Sequence, residues 1–341
     1  MKGSYIFMFI VVIVLTTAMN SCSDVKDPYL RTLDLKVDTL YASSEYAMES
    51  LELFHASDFI SIDGEWLLLS SSKGDYKLSF INTSTDEIFF AIRKGRAFGE
   101  VAQGGSLHKL GSAARYYDYG TGTVIEIDLH KSVASRCLVA DTVAVFDKGI
   151  SRPVYIGSCE DGFISGNAVD LGVWYSLYNI DGEVVSSVSA LNYKDLYRSN
   201  DHRVSIMLSS KYCPSPDGSK ICVANVPFPA ISFANVQSLG LIEYKRYEVT
   251  PQSKQLPPDL TTSFADIHSD HTGFYLLYSG HMIEGDILPG HECNHLIVYN
   301  FSGNPIKHYW LDKNINSIQI EENTLIGLTD YPISAIYKFD L

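Results

Sequence analysis

Outside its first two dozen residues the chain is written in short apolar runs broken by Gly, Asp and Asn, with no sustained helical period. Six segments share one pattern, an alternating strand that stops in a polar turn: residues 78–82, 124–128, 176–182, 240–244, 295–300 and 335–340. They recur roughly every 40 to 65 residues, the period expected of four-stranded blades, so the pattern predicts an all-β, six-bladed β-propeller. Asp63-Gly64, Asp181-Gly182 and Asp217-Gly218 supply hairpin turns, where Gly takes a positive φ without steric cost. After Ser317 too little chain remains for four strands. Leu33, Leu35 and Val37 alternate with Asp34 and Lys36, the mark of a strand with one buried face. The expectation is that residues 32–41 complete the last blade and close the ring, removing its exposed edges.

The N-terminus reads as an address. Lys2 is followed by an apolar run from Tyr5 to Leu15 and then Met19-Asn20-Ser21-Cys22. That run is too short to span a bilayer and has the layout of a cleaved export signal. A small residue directly before a Cys is similar to a bacterial lipobox, which predicts a signal peptide over residues 1–21, a lipid on Cys22, a tether over 22–31 and the propeller over 32–341. The resulting expectation is a membrane-anchored protein of the cell envelope, at the outer membrane, with its periplasmic or surface orientation open. The 341 residues hold 26 Lys+Arg against 40 Asp+Glu, a formal charge of −14. Nonspecific nucleic-acid binding rests on neutralising phosphates, so this balance argues against a nucleic-acid partner.

Several stretches together resemble the TolB-like six-bladed propeller lipoproteins of Bacteroidetes. They are the lipobox-like start, residues 59–69, and Gly95-Arg96-Ala97-Phe98-Gly99-Glu100-Val101, which is similar to a G-x-G-P-x-E-F pattern but departs from it at Ala97, Phe98 and Val101. Tyr278-Ser279-Gly280, residues 298–304 and the ending at 336–341 complete the resemblance. It implies a fold and a location and no reaction.

Candidate chemistry is concentrated in one region. His291-Glu292-Cys293-Asn294-His295 satisfies H-E-x-x-H, which binds zinc only when both imidazoles share a helix face. Here an apolar, β-branched run follows at once, which favours a strand. His268, His271, His281, His291 and His295 fall close together, interleaved with carboxylates, and are candidate ligands for a divalent metal; the alternatives are a solvated polar loop or contacts to a partner. No other cofactor is implied. Cys213 and Cys222 are symmetric about Asp217-Gly218, so a symmetric hairpin would set them opposite each other as a candidate disulfide, whereas a bulged turn would separate them. Asp118, Asp170 and Asp266 lie in strand-like contexts and fit turn roles equally well. Aromatic clusters at Tyr116-Tyr117, Trp174-Tyr175 and Tyr309-Trp310 suit either a sugar-stacking surface or, more simply, buried strand faces.

No nucleophile elbow, phosphate-binding loop or paired-cysteine zinc spacing occurs, so no catalytic residues are assigned. The first functional reading is a non-catalytic binding or scaffold propeller for a protein, peptide or glycan. The alternative is a lyase, a lactonase or a metal-dependent hydrolase with its site at the channel mouth. A convergent acid–base cluster in the channel would favour the enzyme; an aromatic or merely polar rim would favour binding.

Overall fold

A computed structural model of the chain describes residues 27–48, 56–71, 74–95, 100, 105–146, 156–159, 162–166, 172–189, 209–237, 240–249, 261–282, 293–330 and 334–341. The signal segment, Cys22, Asp170, His291 and the side chain of His281 lie outside that description. Residues 27–36 belong to a small N-terminal unit. It holds a five-residue helix, α1 (Pro28–Thr32), whose first amides are capped by the Asp27 carboxylate.

From Val37 onward the chain forms six β-sheets. Two strands come first, β1 (Val37–Leu40) and β2 (Ala42–Ala47). The first blade is a meander of β3 (Ala56–Ile62), β4 (Trp66–Ser71), β5 (Tyr76–Asn82) and β6 (Ile88–Arg93). The second comprises β7 (Leu107–Leu110), β8 (Ala113–Asp118), β9 (Thr123–Asp128) and β10 (Ala140–Val145), with helix α2 (Leu129–Ser135) joining the last two strands. In the third are β11 (Gly157–Cys159), β12 (Gly162–Gly166), β13 (Val173–Asn179) and β14 (Val184–Ser189). β15 (Ser210–Pro214), β16 (Lys220–Asn225), β17 (Ala230–Gln237) and β18 (Gly240–Glu248) make the fourth. The fifth contains β19 (Thr261–Ser269), β20 (Phe274–Met282), β21 (Cys293–Tyr299) and β22 (Pro305–Ile315). The sixth is built from β23 (Ser317–Glu321), β24 (Thr324–Thr329), β25 (Ala335–Asp340) and the early strand β2.

The first strand of every blade touches its counterparts on either side, so β3, β7, β11, β15, β19 and β23 ring a central axis. This is the six-bladed propeller that the strand-and-turn period predicts. The N-terminal strand closes the ring at Ala42–Ala47, where Ala42 faces Phe339 and Ala47 faces Ala335, and not within 32–41. β1, inside the expected range, instead adds a fifth, parallel strand to the fifth blade, with Val37 opposite His308. The reason is physical. An outermost strand has little to bury, and β2 is mostly exposed, so no hydrophobic pattern marks it.

Five of the six repeated segments fall on the third strand of a blade: β5, β9, β13, β21 and β25. Residues 240–244 are the exception, lying on a fourth strand, and the true equivalent is β17. The repeat is legible because the third strand ends in an Asx residue that caps the following turn. Asn82 accepts from the Ser84 and Thr85 amides, Asn300 from those of Ser302 and Asn304, and Asp128 caps α2. Two glycines recur for a different reason. A Cβ on Gly162 would sit 2.1 Å from the Tyr178 carbonyl oxygen, and one on Gly273 would sit 2.0 Å from that of Tyr299. The second strands of blades three and five begin where only a bare backbone fits.

The core lies between blades. Phe80, Tyr116 and Ile127 join the first two blades, and Tyr117, Phe146 and Phe163 the second and third. Trp174, Tyr175, Ile221 and Val223 pack the third on the fourth. Phe233 meets Phe274 and Tyr299 across the next seam. Leu296, Leu311, Leu325 and Phe339 fill the fifth, and Phe59, Leu69, Ile326 and Leu328 seal the ring. Burial of Tyr116, Tyr117, Trp174, Tyr175 and Tyr309 assigns those aromatics to strand faces.

Candidate functional site in the axial channel

Where the six first strands converge they leave a cavity of about 990 Å³, to which every blade contributes. Residues on a first strand alternate between the blade interior and this axis, so one polar residue per blade is enough to give the channel a polar wall.

At its centre are two carboxyl groups from different blades. Asp266, on β19, accepts at 2.8 Å from both the Ser317 hydroxyl and the Ile318 amide, and the Lys211 ammonium lies 3.8 Å away. Asp58, on β3, lies 3.3 Å from the same Ser317 hydroxyl. Burial, then the charge of Asp266, push the Asp58 carboxyl up to about 7, with Lys211 opposing. The Ser317 hydroxyl thus lies within reach of both carboxyl groups.

Two imidazoles stand near this pair. His108, on β7, is driven down to about 4 by burial and then by Lys211, so it is neutral at physiological pH. Its buried Nε2, like the buried Ser158 hydroxyl on β11, has no hydrogen-bond partner among the described residues. His268, on β19, accepts the Ile320 amide on Nδ1 at 3.2 Å. Burial brings it to about 4 as well, with Asp266 pulling the other way. Lower in the channel, Lys109 bridges the Ser61 carbonyl at 2.9 Å and Glu321 at 3.0 Å. Gln319 exchanges hydrogen bonds with the backbone of Phe59 and Ser61, fastening the sixth blade to the first.

Of the histidines singled out in the sequence, the three whose side chains are described, His268, His271 and His295, do not come together. His268 faces the channel, and His271 sits exposed on the β19–β20 turn beside Asp270. His295, two strands out on β21, pairs with His308 at 2.9 Å, nitrogen to nitrogen. Among the described residues no group of three or more His, Cys, Asp or Glu is placed to hold a metal ion. The second half of the H-E-x-x-H stretch, from Cys293, is strand, so the helix that this zinc motif needs is not formed there.

Cys213 faces Cys222 in register between β15 and β16, as a symmetric hairpin requires. Ser215 and Lys220 close the turn, and Gly218 takes a positive φ. Both are buried, unlinked thiols, and burial pushes Cys213 up to about 12. Asp118 caps its own turn through the Gly120 amide and the Thr121 hydroxyl, whereas Asp266 enters the channel.

Asp58, His108, Lys109 and Lys211 are the residues that sequence reasoning missed. The signal that marks them is a polar residue inside an otherwise apolar first strand, and it becomes readable only after the blades are aligned on their third-strand turns.

These features define a six-bladed β-propeller with a polar, acid–base-lined axial channel. No family model matches the chain, and no curated protein matches it. Among solved structures it is similar to a member of the DUF4221 family from Bacteroides vulgatus, at 9% identity and TM-score 0.53, covering 88% of this chain and 97% of that one. It is also similar to regucalcin, a calcium-binding protein from Agrobacterium tumefaciens, at 10% identity and TM-score 0.53, with coverages of 89% and 95%. A luciferin-regenerating enzyme matches at 10% identity and TM-score 0.51, with coverages of 87% and 95%. At such identities these likenesses establish the propeller fold.

Proposed function

We propose that the protein is an envelope lipoprotein of the TolB-like kind, anchored through Cys22, whose propeller binds a small polar ligand in its axial channel. The observation that carries this reading is the cavity of about 990 Å³, walled by residues from all six blades and rich in serine, lysine, histidine and carboxyl groups. That volume suits a molecule the size of a mono- or disaccharide or a short peptide. Ser57 is exposed on the channel wall and is a convenient place to obstruct it. In a thermal-shift screen of sugars and dipeptides, hits on the wild-type chain should vanish in Ser57→Trp while its own melt is unchanged. Hits that survive the obstruction would place the ligand elsewhere, and a screen without hits would return the protein to the scaffold reading. Anchoring has its own check: Cys22→Ser should move the chain from the membrane fraction to the soluble one, and retention in membranes would refute the lipid.

A second reading is favoured by one observation. The carboxyl of Asp58, raised to about 7 near Asp266, which Ser317 and Ile318 hold in place, has the form of a general acid paired with a carboxylate. A substrate turned over by the wild type and not by Asp58→Asn, with binding retained, would move the protein from the binding class to the enzymes.

A further inference from the structure

Two atoms on the channel wall are open to a ligand, and the bonds around them fix what each can do. Asp266 and His268 lie two residues apart on β19, so their side chains share one face of the strand. Each uses one atom to accept from a backbone amide of β23: the Asp266 carboxyl from Ile318 at 2.8 Å and His268 Nδ1 from Ile320 at 3.2 Å. A ring nitrogen that accepts an amide proton carries none of its own. The neutral imidazole therefore holds its proton on Nε2, which makes no hydrogen bond or ion pair among the described residues. His268 lines the cavity, so this N–H is a donor available to whatever enters.

Asp58 offers the complement. Its Oδ1 accepts from the Phe59 amide at 2.9 Å and from the Ser317 hydroxyl at 3.3 Å, and no described residue takes its Oδ2. The same Ser317 hydroxyl reaches Asp266, so both carboxyl groups and the imidazole gather where the first, fifth and sixth blades meet. Because the Asp58 carboxyl titrates at about 7, its Oδ2 accepts in one form and donates in the other. A ligand hydroxyl suits both atoms: it accepts from an N–H, and it either donates to a carboxyl oxygen or accepts from one. A ligand carboxylate only accepts, and it would meet Asp266 as well. An ammonium has nothing to offer the His268 N–H.

We propose that the channel receives a neutral polyhydroxylated small molecule, a sugar or polyol, with one hydroxyl accepting from His268 Nε2 and another bonded to Asp58 Oδ2. This rests on the channel being the ligand site, and it adds the chemical class of what enters and two residues that select it. Side chains already pinned by backbone amides lose little freedom on binding, which favours a specific hydroxyl pattern.

The test uses the full chain with two hydroxylated probes, glucose and myo-inositol, and two probes without hydroxyls, dialanine and succinate. Binding is read by calorimetry and thermal shift. Glucose or myo-inositol at roughly 50 mM should bind saturably and raise the melting temperature by a few degrees, where dialanine and succinate do not. His268→Asn keeps an acceptor for the Ile320 amide and removes the Nε2 donor, so it should weaken binding at least about tenfold. His268→Gln puts an amide donor near the Nε2 position and should keep most of the affinity, so the pair separates a lost donor from a damaged fold. Asp58→Leu should weaken binding to a similar degree, whereas Asp58→Asn, which still donates and accepts, should retain it. General stabilisation by excluded sugar would be indifferent to His268. The inference is overturned if neither hydroxylated probe binds, or if either His268→Asn or Asp58→Leu binds as the wild type does. Dialanine or succinate binding that Ser57→Trp removes, with glucose and myo-inositol silent, would overturn the hydroxyl class and leave the channel standing. Glucose or myo-inositol binding untouched by Ser57→Trp and His268→Asn alike would overturn both.

Discussion

Asp58 and three histidines respond to pH in opposite directions. Asp58 is raised from the usual carboxyl range to about 7, so its contribution to stability is complete in acid and is lost as pH rises through 7. His108, His268 and His308 are each lowered to about 4, chiefly by burial, so their contribution is complete above the ordinary imidazole value and is lost as pH falls towards 4. Between those limits the unfolded chain takes up three imidazole protons while the folded chain keeps one on Asp58. The balance makes acidification destabilising by up to about 2–3 kcal/mol per pH unit. Urea unfolding across pH 5–8 should therefore show stability rising with pH to a plateau above about 7. Asp58→Asn removes the opposing proton and should steepen the rise between pH 5 and 6.5 by roughly 1.4 kcal/mol per pH unit. A variant whose slope matches the wild type would show that Asp58 ionises without penalty.

At the scale of elements, the N-terminal strands divide their roles. β2 supplies the outer strand of the sixth blade, and β1 lies parallel on β22 in the fifth. The Ala42 amide between them is held by Asp312 at 2.9 Å. Deletion through Lys36 should leave the melting temperature of the propeller within a few degrees of the full chain, whereas deletion through Ala47 uncovers the edge of β25 and should give aggregation or loss of cooperative unfolding. Size-exclusion chromatography and circular dichroism distinguish the two, and a soluble, cooperative chain lacking residues 1–47 would refute the closing role. The same elements show what the sequence made legible. Third strands such as β13 and β21 announce themselves because they are buried on both faces and end in a capped Asx turn. β2 is invisible because its sequence, ASSEYA, buries almost nothing. The repeat was misplaced at Gly240 because β18, an outer strand, also alternates.

Across the whole molecule the site was less legible than the fold. A propeller announces itself through a period, and a period survives loops of unequal length. A channel assembles one or two residues from each blade, and no spacing connects Asp58 to Asp266 or His108 to Lys211 before the ring exists. The local cluster of histidines at 268–295 drew attention by proximity along the chain, yet His268 and His295 are two strands apart in the fold. Charge behaved in the same way: the acidic total concealed a cavity lined by four lysines.

Closure by β2 also fixes an order of events. The strand that completes the sixth blade is synthesised before the first blade, and its partner β25 after the fifth. While the chain is being translated, β2 has nothing to pair with until β25 is made. Blades one to five can form in sequence, each on its predecessor, but the circle stays open until β25 arrives. Assembly thus reads out length: a chain cut short before β25 leaves β2 without its partner and one edge of β24 open, and presents to proteases and chaperones an edge that the finished ring hides.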